Sequence, residues 1–184
     1  MKFFNKIILL LILTACCSSP ALAKVDKAAS TEYIQLVSSS NVIVEEKGES
    51  HNFTLNFLHN RTNMGLSGLQ HFYTLSIITN NGDKKMANGI IFNFNNPPKL
   101  ELEQNGETRI IAIPRNHSQV WASGLSHEPE KYLRSQLLAA QKISLLLPCE
   151  DGNVLRLEVP EQAVTEWKYV ISADMEAEQK ALMG

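Results

Sequence analysis

From Thr31 onward, apolar side chains return at every second position, in runs closed by Asn, Gly or Pro. Phe53, Leu55 and Phe57 alternate with Thr54 and Asn56. Tyr73, Leu75 and Ile77 repeat the pattern, and Ile90, Phe92 and Phe94 follow it again. A period of two puts neighbouring side chains on opposite faces of a strand, so each run demands one buried face and one wet face. Antiparallel sheet meets that demand, because only one of its faces has to be covered. The β-branched runs at 33–37 and 42–44 read as two short strands separated by Ser38-Ser39-Ser40-Asn41. Asn80-Asn81-Gly82-Asp83 reads as a hairpin turn. Asn105-Gly106 is the clearest turn, between strands at 100–103 and 108–113, since Asn and Gly tolerate the positive φ that tight hairpins need. Asn96-Pro97-Pro98 ends the strand before it, because proline cannot donate to a ladder.

The period then changes. Pro129 suits the first turn of a helix, and Leu133, Leu137 and Ala140 fall on one face after it. The run at 143–148 is apolar enough for a buried strand. A turn at 150–153 returns the chain as a strand with Leu155, Leu157 and Val159 on one side. Pro160 opens a second amphipathic stretch, in which Val164, Trp167, Ile171 and Met175 recur at helical spacing and Glu176 and Lys180 stand four apart. The expected fold is α+β: an antiparallel, strand-rich sheet in the first two-thirds and helices over about 129–142 and 161–183. A β-sandwich or small barrel with a C-terminal helix is the alternative. With 184 residues, one domain over 31–184 is the expectation.

The start of the chain reads as an address. Lys2 and Lys6 precede an apolar run at 7–17, and Ala21-Leu22-Ala23 ends the segment. A basic start, a short apolar middle and a small-residue end make a secretory signal peptide over 1–23. The run is shorter than the roughly 20 residues that a permanent span requires, and no later run reaches that length. Leu13-Thr14-Ala15-Cys16 resembles the lipobox of bacterial lipoproteins. That resemblance implies lipidation of Cys16 and a membrane anchor in place of release. Both readings imply export to a bacterial envelope, periplasmic or secreted in one case and membrane-anchored in the other. Residues 24–30 read as a flexible leader.

Chemistry is sparse. His51, His59, His71, His117 and His127 match no zinc spacing; His51, His59 and His71 suit a three-histidine site, although strand-end histidines are the better reading. Gly65-Leu66-Ser67-Gly68 breaks the nucleophile-elbow spacing and reads as a flexible loop. Cys149 lies between Pro148 and the carboxylates Glu150 and Asp151, which disfavour a thiolate. Glu101 and Glu103 share one strand face; the solvated face of an edge strand is the expected reading, ahead of an acid/base pair. No phosphate-cradling loop occurs, so no cofactor is expected. The formal net charge of −2 lacks the surplus of Lys and Arg that nucleic acid demands. Arg115 and Trp121 flank a loop and are the candidates for partner contact.

The function expected from these residues is a non-enzymatic envelope module that binds another protein through a sheet edge or loop. The alternative is a small-ligand binder with Phe53, Phe57, Tyr73, Phe92 and Phe94 lining a pocket. A small hydrolase using a histidine or Cys149 ranks last.

Overall fold

A computed structural model of the chain describes residues 25–46, 49–79, 98–112, 120–123, 128–148 and 152–184. The strands are β1 (Val25–Ala29), β2 (Tyr33–Glu46), β3 (Glu49–Asn63), β4 (Leu69–Thr79), β5 (Lys99–Gln104), β6 (Glu107–Ala112), β7 (Val120–Ser123), β8 (Lys142–Pro148) and β9 (Val154–Glu158). The helices are α1 (Glu128–Ala139), α2 (Glu161–Ser172) and α3 (Met175–Met183). They build two antiparallel sheets, in the orders β1-β2-β3-β4-β7 and β6-β5-β8-β9. This is α+β, and the described strands close no barrel.

Period-two alternation works as expected in the first sheet. Ile34, Leu36 and Val42 of β2, Phe53, Leu55 and Phe57 of β3, and Tyr73, Leu75 and Ile77 of β4 are all buried. In the second sheet Leu100 and Leu102 of β5 meet Leu145 and Ile143 of β8, and Leu155 and Leu157 of β9 complete the face. Helix α2 lies against β2 and β3 on one side and β8 on the other, so the two sheets share one core. Trp167 of α2 stacks on Phe57 at 5.1 Å. Leu133 and Leu137 bury the inner face of α1, as the helical spacing predicts; the buried Ala140 lies just past its end, because the chain enters β8 at Lys142. The Glu176–Lys180 pair forms at 2.7 Å.

The Asn105-Gly106 hairpin is present, with φ of 53° and 80° at the two residues. Two consecutive positive φ values give the primed turn whose twist matches the flanking strands. The Asn80–Asp83 turn and the strand at 90–94 lie outside the described residues.

Four expectations need correction. The two short strands at 33–37 and 42–44 are one strand, β2, paired with β3 over its whole length. The intervening serines do not turn the chain. Ser38 keeps its place in the alternation and points inward, where its hydroxyl donates to the buried Glu166 carboxylate at 2.5 Å. Residues 25–29 are likewise not a free leader. They form β1, and Lys27 donates from there to Tyr169 Oη at 2.8 Å and Glu178 at 2.7 Å. These contacts from α2 and α3 tie the strand down, which a local reading of a short polar segment cannot foresee.

The single helix at 161–183 is two. Asp174 accepts from the backbone N–H groups of Glu176 and Ala177, both at 3.1 Å, and so starts a new helix. Finally, β5 is an interior strand, so Glu101 and Glu103 guard no edge. They pair with Arg156 and Lys142 at 2.6 and 3.4 Å on the solvent side of that sheet.

The Ser38–Glu166 contact yields a prediction. Gln162 Nε2 also donates to Glu166, at 3.1 Å, so removal of Ser38 leaves a buried carboxylate half-served. Ser38→Ala is expected to cost about 2 kcal/mol, because an orphaned buried polar group is charged its full desolvation penalty. The joint replacement Ser38→Val with Glu166→Leu is expected to recover most of that loss, since an apolar pair has no desolvation to offset. Urea denaturation of the single and double variants measures both. A Ser38→Ala protein as stable as the wild type would show that the contact carries no weight.

Candidate functional site

Histidine continues where phenylalanine and leucine stop. His59 follows Phe53, Leu55 and Phe57 on the inward face of β3, and it is 2% exposed. Its Nδ1 donates to the carbonyl of Val170 at 2.9 Å. Val170 lies in the last turn of α2, where carbonyls lack a partner within the helix, so His59 caps that end from the side. Its Nε2 lies 2.9 Å from Nδ1 of His71 on β4. The His59 ring stacks on Tyr73, its cross-strand neighbour, at 4.1 Å.

The protonation pattern follows from these contacts. A carbonyl only accepts, so His59 Nδ1 carries a hydrogen. Burial pushes the His59 pKa down to about 4, with His71, Arg134 and Arg61 adding to the effect against the opposing carbonyl bond. At neutral pH its Nε2 is therefore bare and accepts from His71 Nδ1–H. His71 is also lowered, first by burial and then by Arg61 and Arg134. A neutral His71 with its hydrogen on Nδ1 has a free lone pair at Nε2. The chain of donors runs one way, from His71 through His59 to the helix end.

These rings border a cavity of about 240 Å³, with Leu69, Arg134 and Ile171 among the other lining residues. Arg134 comes from α1 and its guanidinium sits 6.0 Å from the Tyr73 ring centroid. No carboxylate and no Ser, Thr or Cys lines this cavity among the described residues. The arrangement is a cationic dent with an imidazole acceptor at its mouth.

A broader open groove of about 670 Å³ lies between the second sheet and the start of α2. Within it Arg156 pairs with Glu101 at 2.6 Å and with Glu158 at 2.7 Å.

The structure brings together two of the three histidines weighed from sequence. His51 pairs with Val44 at the far end of β3, eight residues and about 26 Å along the strand from His59, so the three do not converge. Among the described residues no cluster of three His, Cys, Asp or Glu side chains stands ready for a metal. Phe53 and Phe57 are core residues and line neither this cavity nor the groove, whereas Tyr73 reaches the cavity. Phe92 and Phe94 lie outside the described residues, as do Cys16, Arg115 and Cys149. Trp121 sits on β7, opposite Leu75, at an edge of the first sheet. Gly65–Ser67 is a turn of 3-10 helix at the tip of the β3–β4 hairpin.

Comparison of the chain with protein-family models, curated proteins and solved structures finds no match.

Arg134 was not legible as a site residue, because one arginine beside Leu133 on an amphipathic helix resembles any wet-side residue. Ser38 and Glu166 were hidden for the opposite reason: each reads as a surface residue until the fold buries it. His59 did carry a signal, since the alternation of β3 already points it inward.

Proposed function

We propose that the chain is an exported, non-catalytic module that takes up a strand from a protein partner along β6. The supporting observation is the state of that strand. Among the described residues it lies at one edge of the second sheet, paired to β5 on one side only. Glu107, Thr108, Arg109, Ile110 and Ala112 are exposed, and Ile111 is half-buried. Ile110 in particular is 58% exposed. An open edge presents a row of unmade backbone hydrogen bonds, and an added strand satisfies them with no special side chains. The signal-like segment at 1–23 supports export.

Neighbouring strand residues point their N–H groups to opposite sides, so either Arg109 or Ile110 faces the open edge. Arg109→Pro and Ile110→Pro should therefore behave differently. One variant loses a bond to β5 and is destabilised; the other keeps the fold and loses partner capture. The measurement is cross-linked affinity capture of the tagged chain, with circular dichroism as the fold check. Undiminished capture of the same partner by both variants would reject strand addition at β6.

A further inference from the structure

The β3–β4 hairpin ends in an apolar tip. Met64 is 52% exposed, Leu66 109% and Leu69 57%, while Phe72 stands behind them at 37%. The tip projects past the end of β2, whose last pairing with β3 is Tyr33 with Thr62. Gly65 and Gly68, at φ of 60° and 71°, shape the turn that thrusts Leu66 outward. Leu66 meets so little of the chain that packing within the described fold cannot account for it.

Two arginines stand behind the tip: Arg61, whose guanidinium donates to Gln179 Oε1 at 2.6 Å, and Arg134 of α1. Leu69 lines the same cavity as His71 and Arg134, and Arg61 is the cross-strand neighbour of His71. No acidic residue occurs between Glu49 and Asp83 in the sequence. Carboxylates of adjoining elements lie near as well: Asp174 caps α3, and Glu176 pairs with Lys180 and feels the charge of Arg61. Glu32 is exposed in the β1–β2 turn, whose carbonyl accepts from Asn63 N–H at 2.8 Å.

We infer that this tip docks on an anionic phospholipid surface, with Met64, Leu66 and Leu69 in the outer acyl region and Arg61 and Arg134 at the phosphates. The shape favours a bilayer over a protein partner, because a convex apolar point needs a fluid to enter, not a matching pocket. The spacing also fits. Arg61 lies three strand residues behind Met64, about 10 Å, close to the roughly 5–10 Å to which interfacial apolar faces sink. Apolar burial and attraction to anionic lipid add, so both should be needed for firm binding. This docking is separate from strand addition at β6, which lies in the other sheet, and it does not depend on the fate of Cys16.

The test is co-sedimentation of the full chain with phosphatidylcholine vesicles, with and without one-third phosphatidylglycerol. Leu66→Asp with Leu69→Asp should lower partitioning onto anionic vesicles at least about tenfold, and Arg61→Gln with Arg134→Gln several-fold. Any contribution of the apolar segment at 7–17 is common to all variants and cancels in the comparison. Circular dichroism checks the fold, which exposed tip residues should not disturb. A Leu66→Trp variant should also show fluorescence quenched by brominated lipid beyond that of the wild type. Equal partitioning of wild type and tip variant overturns the inference, as does equal binding to neutral and anionic vesicles. So does a tip variant that keeps its lipid binding and loses capture of a protein, which would make the tip a protein-docking site. Competition by inorganic phosphate in the tip variant alone would reassign the cavity to a free anion.

Discussion

Stability should fall by about 3 kcal/mol between pH 6.5 and pH 4 on account of His59 alone. The unfolded imidazole takes up a proton near 6.5, whereas the buried one resists until about 4. Each unit of difference is worth about 1.4 kcal/mol. Because the native pKa is the lower one, the unfolded state binds more protons throughout this window, and stability is lost as pH falls and is complete above it. The stacked Tyr73 ring and the Val170 carbonyl hold the ring in place, so the protein cannot relieve the cost by turning the imidazole outward. His71 shifts in the same direction and steepens the same limb. Glu178, whose carboxyl is lowered by its bonds to Lys27 and Tyr169, adds its loss only below its ordinary value of 4.5. The range from 4.5 to 6.5 therefore reports mainly the histidines. Urea titrations across that range measure the slope. His59→Gln keeps an N–H for Val170 and removes the titration, so its stability should vary far less with pH. A variant with the wild-type slope would locate the acid sensitivity elsewhere.

Trp167→Ala is expected to cost about 3–5 kcal/mol, at or near the whole stability of a marginal domain. Trp167 is 1% exposed, stacks on Phe57 and sits on the helix that both sheets share. Its loss opens a cavity at the junction, where neither sheet can close in without moving the other. Trp167→Phe should be close to neutral. Among the described residues the Trp167 Nε1–H is the buried side-chain donor that finds no acceptor, and removing an unsatisfied donor returns about 1–3 kcal/mol against the smaller ring's lost contacts. Thermal and urea melts of the two variants give the comparison. A Phe variant as damaged as the Ala variant would mean that the indole N–H is satisfied in solution.

The two effects share a cause. Helix α2 is clamped between sheets and must be served at both its middle and its end. Trp167 fills the middle, Ser38 meets the carboxylate beside it, and His59 closes the end. A neutral imidazole does this best, because it donates to Val170 with one nitrogen and accepts from His71 with the other. The same pair forms one wall of the cationic dent, so the site's chemistry is coupled to the stability of the helix it caps.

What the sequence determined by itself was local. Alternation at 53–57 and 73–77 decided which residues face inward. Asn105-Gly106 decided a primed turn, because few other pairs accept two positive φ values in succession. Helical spacing after Pro129 and Pro160 decided the buried faces of α1 and α2. Each of these rests on interactions within a few residues, and so can be read without knowing the partner. The tertiary structure decided what depends on distant segments. Ser38-Ser39-Ser40 stays extended because fourteen pairings with β3 outweigh the local preference of serine for turns. Residues 25–29 become a strand because Lys27 finds Tyr169 and Glu178, more than 140 residues away. Glu101 sits on an interior strand because β8 returns beside β5. His59 and His71, twelve residues apart, meet because hairpin register sets them diagonally across two strands, while the same register leaves His51 at the far end. Arg134 joins them only once α1 is packed. Long-range pairing carries no signature in a local window, and that is why the fold class was legible and the site was not.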